Sequence, residues 1–159
     1  ESLAELYTAY LALQEELADD DVEAARTAAD AVRSAVDAVR DETLVGAPLA
    51  DWRRLRPQLA YEPADTSIEG LREAFEPLSD AILATERRFG HDLDRMLARA
   101  YCPMAFGNAG AEWLQAGTTI DNPYFGAMML LCGEVREELP PRGAEGASQD
   151  GGHGGHDHE

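Results

Sequence analysis

The sequence predicts an all-α fold, an up-and-down bundle of four helices with an irregular cysteine- and methionine-bearing segment packed on it. Three observations predict it. Apolar residues recur at three-and-four spacing through long stretches before Phe89, and no stretch outside short loops alternates as a strand does. Both cysteines and three of the four methionines fall in residues 101–133, so soft donors are concentrated in one segment. The expected organisation is a helical metal-binding domain over residues 1–139 and a disordered tail over 140–159.

In the first predicted helix, residues 3–17, Leu3, Leu6, Tyr7, Tyr10, Leu13 and Leu17 share one face. Asp19, Asp20 and Asp21 then supply an N-cap and first-turn acids for a second helix, where they favour the positive end of the helix dipole. Val22, Ala25, Ala29, Val32, Val36 and Val39 form its stripe, and the small side chains allow close approach to a neighbour. It should end near residues 40–43. Gly46, Pro48, Pro57 and Pro63 break the pattern over 44–66, leaving Leu49, Trp52, Leu55 and Leu59 for a short helix with Trp52 as a core lid.

A third long helix opens at Thr66 or Ser67 and carries Ile68, Leu71, Phe75, Leu78, Ile82, Thr85 and Phe89 in step. Pro77 predicts a kink rather than a break, because the apolar phase runs through it unchanged. Gly90 is a stop signal. Leu93, Met96, Leu97 and Ala100 then suggest a further helical segment, and His91 at the junction reads as a cap or surface residue rather than a ligand. Beyond Glu138 the Pro, Gly and polar composition is too poor in apolar residues to order itself.

Composition excludes some functions. At 159 residues the chain buries about two-thirds of its unfolded surface, so the core needs no metal or disulfide. The net charge is −18 and all 13 cations are arginine, which argues against nucleic acid as a partner. Such a surface repels anionic lipid and suits a protein kept soluble in strong salt. No apolar run approaches the roughly 20 residues needed to cross a bilayer, so no membrane insertion is expected. The start at Glu1, with no signal-like stretch, suits a mature protein or an excised domain equally. No nucleophile–histidine–acid order, phosphate loop or helical carboxylate–histidine set points to an enzyme.

In the sulfur segment, Pro103 biases Cys102 toward an extended backbone, which would project Cys102 and Met104 to the same side. Asp121, Asn122 and Pro123 read as an N-cap followed by a first-position proline, predicting a short helix over 123–131 closed by Gly133. On such a helix Met128 or Met129 lies on the side of Cys132, at the negative end of the dipole where a bare thiolate is disfavoured. If the two halves meet, Cys102, Met104, Met129 and Cys132 form a sulfur cluster that prefers Cu(I) or Ag(I) to hard cations. The alternative at this point is a Cys102–Cys132 disulfide, worth about 3 to 4 kcal/mol in the chain-entropy model, with the methionines as core filler. A redox-active pair is a third reading, disfavoured because neither cysteine opens a helix. Trp113 is expected in the core; the alternative is an indole face lying over a bound monovalent cation. His153, His156 and His158 make the tail a loose, weaker site for Zn(II) or Cu(II).

The stretches Tyr-Cys-Pro-Met-Ala-Phe-Gly-Asn-Ala-Gly-Ala-Glu-Trp-Leu-Gln from Tyr101 and Asn-Pro-Tyr-Phe-Gly-Ala-Met-Met-Leu-Leu-Cys-Gly-Glu-Val from Asn122 resemble the signature of a bacterial periplasmic helical domain of unknown function. That domain occurs alone or at the C-terminus of periplasmic adaptors of copper and silver efflux pumps of the resistance-nodulation-division type. The resemblance extends back over the helices and maps the family's Cys-Pro-Met onto Cys102, Pro103 and Met104, and its Met-x-x-Cys-Gly onto Met129, Cys132 and Gly133. Family members often carry a histidine before the first cysteine, where this chain has Tyr101. The resemblance implies a periplasmic, non-enzymatic protein of metal resistance whose partners are efflux adaptor or pump components or other periplasmic copper proteins. The same oxidising compartment keeps open the alternative of a disulfide-locked structural or interaction module.

Overall fold

The computed structural model describes residues 2–144. Four helices come first: α1 (Ser2–Ala18), α2 (Val22–Ala38), α3 (Gly46–Leu55) and α4 (Ile68–Phe89). Short 3₁₀ turns lie at Asp41–Thr43 and Arg56–Leu59. Asp21 caps α2 by accepting the Ala24 amide, and Ser67 caps α4 by accepting that of Gly70, each satisfying a donor that the helix leaves unpaired. Helix α4 runs unbroken through Pro77. Trp52 is fully buried and donates its indole N–H to Asp41 Oδ1 at 2.9 Å.

The all-α expectation is wrong. After the helices come three strands, β1 (Leu97–Cys102), β2 (Ala111–Ala116) and β3 (Glu134–Leu139), in an antiparallel sheet of order β2-β1-β3. With 56% helix and 13% strand the fold is mixed, α followed by β. Residues Leu93, Met96, Leu97 and Ala100 mimic a helical stripe, but Leu97 to Cys102 is a strand. A six-residue strand offers only three turns of alternation, too few to outweigh the helical reading. Its partners, up to about forty positions away, supply the hydrogen bonds that decide its state. β3 escapes detection for another reason. Glu134, Arg136, Glu137 and Glu138 are exposed on an edge strand, where charge discourages pairing with another chain.

The opposite edge, β2, is turned to the helices. Its Leu114 amide donates to Tyr10 Oη at 3.1 Å, and that hydroxyl also shares a 2.7 Å hydrogen bond with Ser79 Oγ of α4. The helices and the sheet bury one continuous core. Tyr10 stacks on Phe75 at 4.9 Å between ring centroids, Phe75 meets Tyr124 at 5.8 Å, and Tyr124 meets the edge of Trp113 at 5.9 Å. Aromatic contacts thus run from α1 through α4 into the segment after β2.

His91 is neither cap nor surface residue. It is buried, with Nε2 2.7 Å from the Leu139 carbonyl, and the Arg142 amide donates to the His91 carbonyl at 2.8 Å. These bonds fasten the end of β3 to the stop of α4.

Candidate metal centre

Strand pairing brings the two cysteines together. Cys102 ends β1, the central strand, where its side chain belongs to the buried set. The β1–β3 ladder ends at Tyr101 opposite Glu134, so the chain entering β3 passes the end of β1 at Cys132. The two Sγ atoms are 3.2 Å apart and both thiols are free. Cys102 is buried and Cys132 is partly exposed, so one thiol is accessible and the other backs it.

Gly133 makes the approach possible. Its φ of +133° suits glycine, and a Cβ there would lie 2.8 Å from the Tyr101 carbonyl oxygen and 3.1 Å from Trp113 Cη2. The Cys132 pKa is raised above the ordinary thiol value, first by the hydrogen bond shared with Cys102, then by burial and by the neighbouring thiol's charge. The helix-end account of that thiol does not hold. No α-helix spans 123–131: Asn122 Oδ1 accepts the Tyr124 amide, a 3₁₀ turn covers Gly126–Met128, and the Cys132 amide donates to the Met129 carbonyl at 3.0 Å. Asn122, fully buried, closes the loop by donating from Nδ2 to the Cys132 carbonyl at 2.8 Å, while the carbonyl of Leu130 accepts its amide. A side chain that bonds the backbone two residues ahead makes a turn as readily as a helix cap.

The extended reading of Cys102 holds, but it stops at Pro103. Met104 has helical φ and ψ on the turn that leaves β1, and it does not continue the strand. Met104 and Met129 each flank one thiol along the chain, Met104 exposed and Met129 half-buried. Phe106, Gly107 and Asn108 follow with left-handed φ values of 53°, 63° and 68°. For phenylalanine this is a strained conformation, and its exposed ring meets the edge of Tyr124 at 5.3 Å. Trp113 is fully buried, donating its indole N–H to Gln115 Oε1 at 3.0 Å.

Residues far upstream hold the 121–132 loop, and no local pattern in the sequence marks them for that role. Gln14 Nε2 donates to the Asp121 carbonyl at 2.7 Å. Arg72 Nε donates to the Pro123 carbonyl at 2.8 Å, and Arg72 Nη2 bonds Leu17 O and Asp20 Oδ1, each at 2.7 Å. Asp20 Oδ2 accepts the Ala127 amide at 2.8 Å. That amide, and then Arg72, hold the Asp20 carboxyl below the usual carboxylate range. The triple aspartate signals a helix start, and only its third member serves as the cap.

A family model described as a protein of unknown function (DUF3347) matches residues 6–93. This chain belongs to DUF3347. The match covers α1 to α4 and ends before β1, so in this DUF3347 chain both cysteines lie outside the matched residues. No curated protein and no solved structure matches the chain.

Among the described residues no three histidine, cysteine or carboxylate side chains cluster as a metal site. The DUF3347 chain brings two thiols together, with a methionine near each along the sequence. His153, His156 and His158 lie outside the described residues. No described helix is long and apolar enough to cross a membrane.

Proposed function

We propose that this chain binds Cu(I) or Ag(I) through Cys102 and Cys132, with Met104 and Met129 as the thioether donors, and holds or hands on the ion in periplasmic copper and silver efflux. The observation that carries the reading is the 3.2 Å separation of two free thiols, one buried and one open to solvent. Two thiolates this close repel each other, and a soft cation between them removes the repulsion and releases their protons. Efflux adaptor or pump components, or other periplasmic copper proteins, are the partners this reading assigns, and no catalysis is involved. Competition of the reduced protein against a Cu(I) chelator tests it. Binding should be lost in the Cys102→Ser, Cys132→Ser double variant, and an unchanged affinity would refute the site.

The same separation favours a second reading, a disulfide-locked interaction module of an efflux adaptor. Counting free thiols in protein taken from an oxidising compartment separates the two. Complete loss of both thiols, together with no Cu(I) response after reduction, selects the module.

A further inference from the structure

We infer that Asp20 and Arg72 are positioning residues for the thiol pair: from the helical half of the molecule they fix the loop that delivers Cys132 to Cys102. Cys102 is placed by its strand, which pairs with β2 as far as Cys102 itself and with β3 as far as Tyr101. Cys132 has no such support, because it precedes β3 and ends a loop whose only repetitive structure is one 3₁₀ turn. Its position depends on how that loop is anchored.

The anchor is an ion pair between a helix and an inter-helix turn. Arg72 lies in the first turns of α4, its side chain only 14% exposed, and Asp20 lies in the turn between α1 and α2. The guanidinium grips the loop at the Pro123 carbonyl, and the carboxylate grips it at the Ala127 amide. Between these grips Gly126 passes so close that an added Cβ would overlap both side chains, 2.6 Å from Arg72 Nη2. Asn122 then carries the constraint onward, since it adjoins Pro123 and bonds the carbonyl of Cys132 itself. Charge-assisted hydrogen bonds with fixed geometry restrict a loop more tightly than apolar contact does, because each grip specifies a direction as well as a distance.

The inference rests on the metal-binding reading only for its consequence on Cu(I) affinity. Its direct readout is the effective concentration of Cys132 toward Cys102, obtained from the equilibrium of the reduced protein with glutathione disulfide. In that exchange the two thiols give up two protons and two electrons, and one glutathione disulfide becomes two glutathione thiols.

Asp20→Gly is the most informative variant, because Asp20 has a φ of 59° and glycine adopts it without strain while removing the carboxylate. Arg72→Gln removes the other half, and Asp20→Asn is a milder change that keeps the turn and an acceptor but loses the charge. We expect the effective concentration to fall by about tenfold in Asp20→Gly and in Arg72→Gln, with no further fall when the two are combined. Asp20→Asn should fall between these and the parent, and it keeps the test available if the stronger variants do not fold. Arg142→Gln, which breaks the exposed pair with Asp92 at the other end of the sheet, should leave the equilibrium unchanged. Values within twofold of the parent in folded Asp20 and Arg72 variants would overturn the inference and leave the pair a purely structural one. A parent protein that does not respond to Cu(I), yet shows the expected glutathione shifts, would refute the metal reading alone.

Discussion

The helical half and the sheet half of this chain are held together in different ways. From Ser2 to Phe89 the helices satisfy most of their own backbone, and what joins them is chiefly apolar burial: Leu6, Tyr10, Leu13, Val32, Phe75 and Ile82 are all fully enclosed, with a few directional bonds such as Tyr10 to Ser79 and Arg33 to the Tyr61 carbonyl beside them. From Leu97 to Leu139 the backbone is satisfied at a distance, by strand pairing and by side chains such as Tyr10, Gln14, Asp20, Arg72 and Asn122 that bond main-chain atoms. Apolar burial tolerates small shifts, whereas directional bonds fix positions. The half carrying the thiols is therefore the one that relies more on directional bonds, and the helices frame it through the shared core.

Three sets of measurements test that contrast. The largest effect is expected from Phe75→Ala, which removes the ring stacked on Tyr10 and touching Tyr124 where the halves meet. The cost should be about 3 to 5 kcal/mol in urea unfolding. Trp52 reports on the helical half and Trp113 on the sheet, so single-tryptophan variants made by Trp52→Phe or Trp113→Phe follow each half separately. Both midpoints should shift together. Unequal shifts would mean that the halves unfold independently despite their shared core.

A smaller effect, about 2 to 3 kcal/mol, is expected from Gly133→Ala, where left-handed strain adds to the clash with the Tyr101 carbonyl. Gly46→Ala is its counterpart in the helical half. It has φ of +64° and no atom within 4 Å of an added Cβ, so only strain of about 1 kcal/mol applies. Equal losses for the two glycines would contradict the idea that the sheet half is positionally the more exacting.

The smallest effect concerns protonation. Because the folded protein raises the Cys132 pKa, alkylation of Cys132 by iodoacetamide should lag behind a free thiol until the pH passes above the ordinary thiol range. The stabilisation linked to this proton is complete below the unfolded thiol pKa and is lost as the pH rises through the folded one. Cys102→Ala removes the first cause of the shift, so the alkylation profile should move to lower pH. An unmoved profile would show that the thiols do not interact.

Much of this was legible in the residues. The stripes of α1, α2 and α4, the caps at Asp21 and Ser67, and the short helix bearing Trp52 follow from patterns spanning fewer than about five residues at a time. The sulfur pairing was legible as a possibility, in that Cys102 and Cys132 were singled out by residue type. What failed was every statement about the backbone around them beyond Cys102. The spacing of Leu93, Met96, Leu97 and Ala100 predicts a helix where β1 runs, and Asp121, Asn122 and Pro123 predict a capped helix where Asn122 makes a turn. In each place the local signal was ambiguous between two backbones, and contacts with distant residues chose between them.

The helical frame, the strongly acidic surface and the softness of the sulfur donors follow from residue type and near-neighbour spacing alone. That β1 is a strand, that Cys132 lies 3.2 Å from Cys102, and that Asp20 and Arg72 hold the loop before Cys132, emerge only from the folded chain. Those features join residues up to 107 positions apart, and contacts across such spans form only as the intervening chain folds.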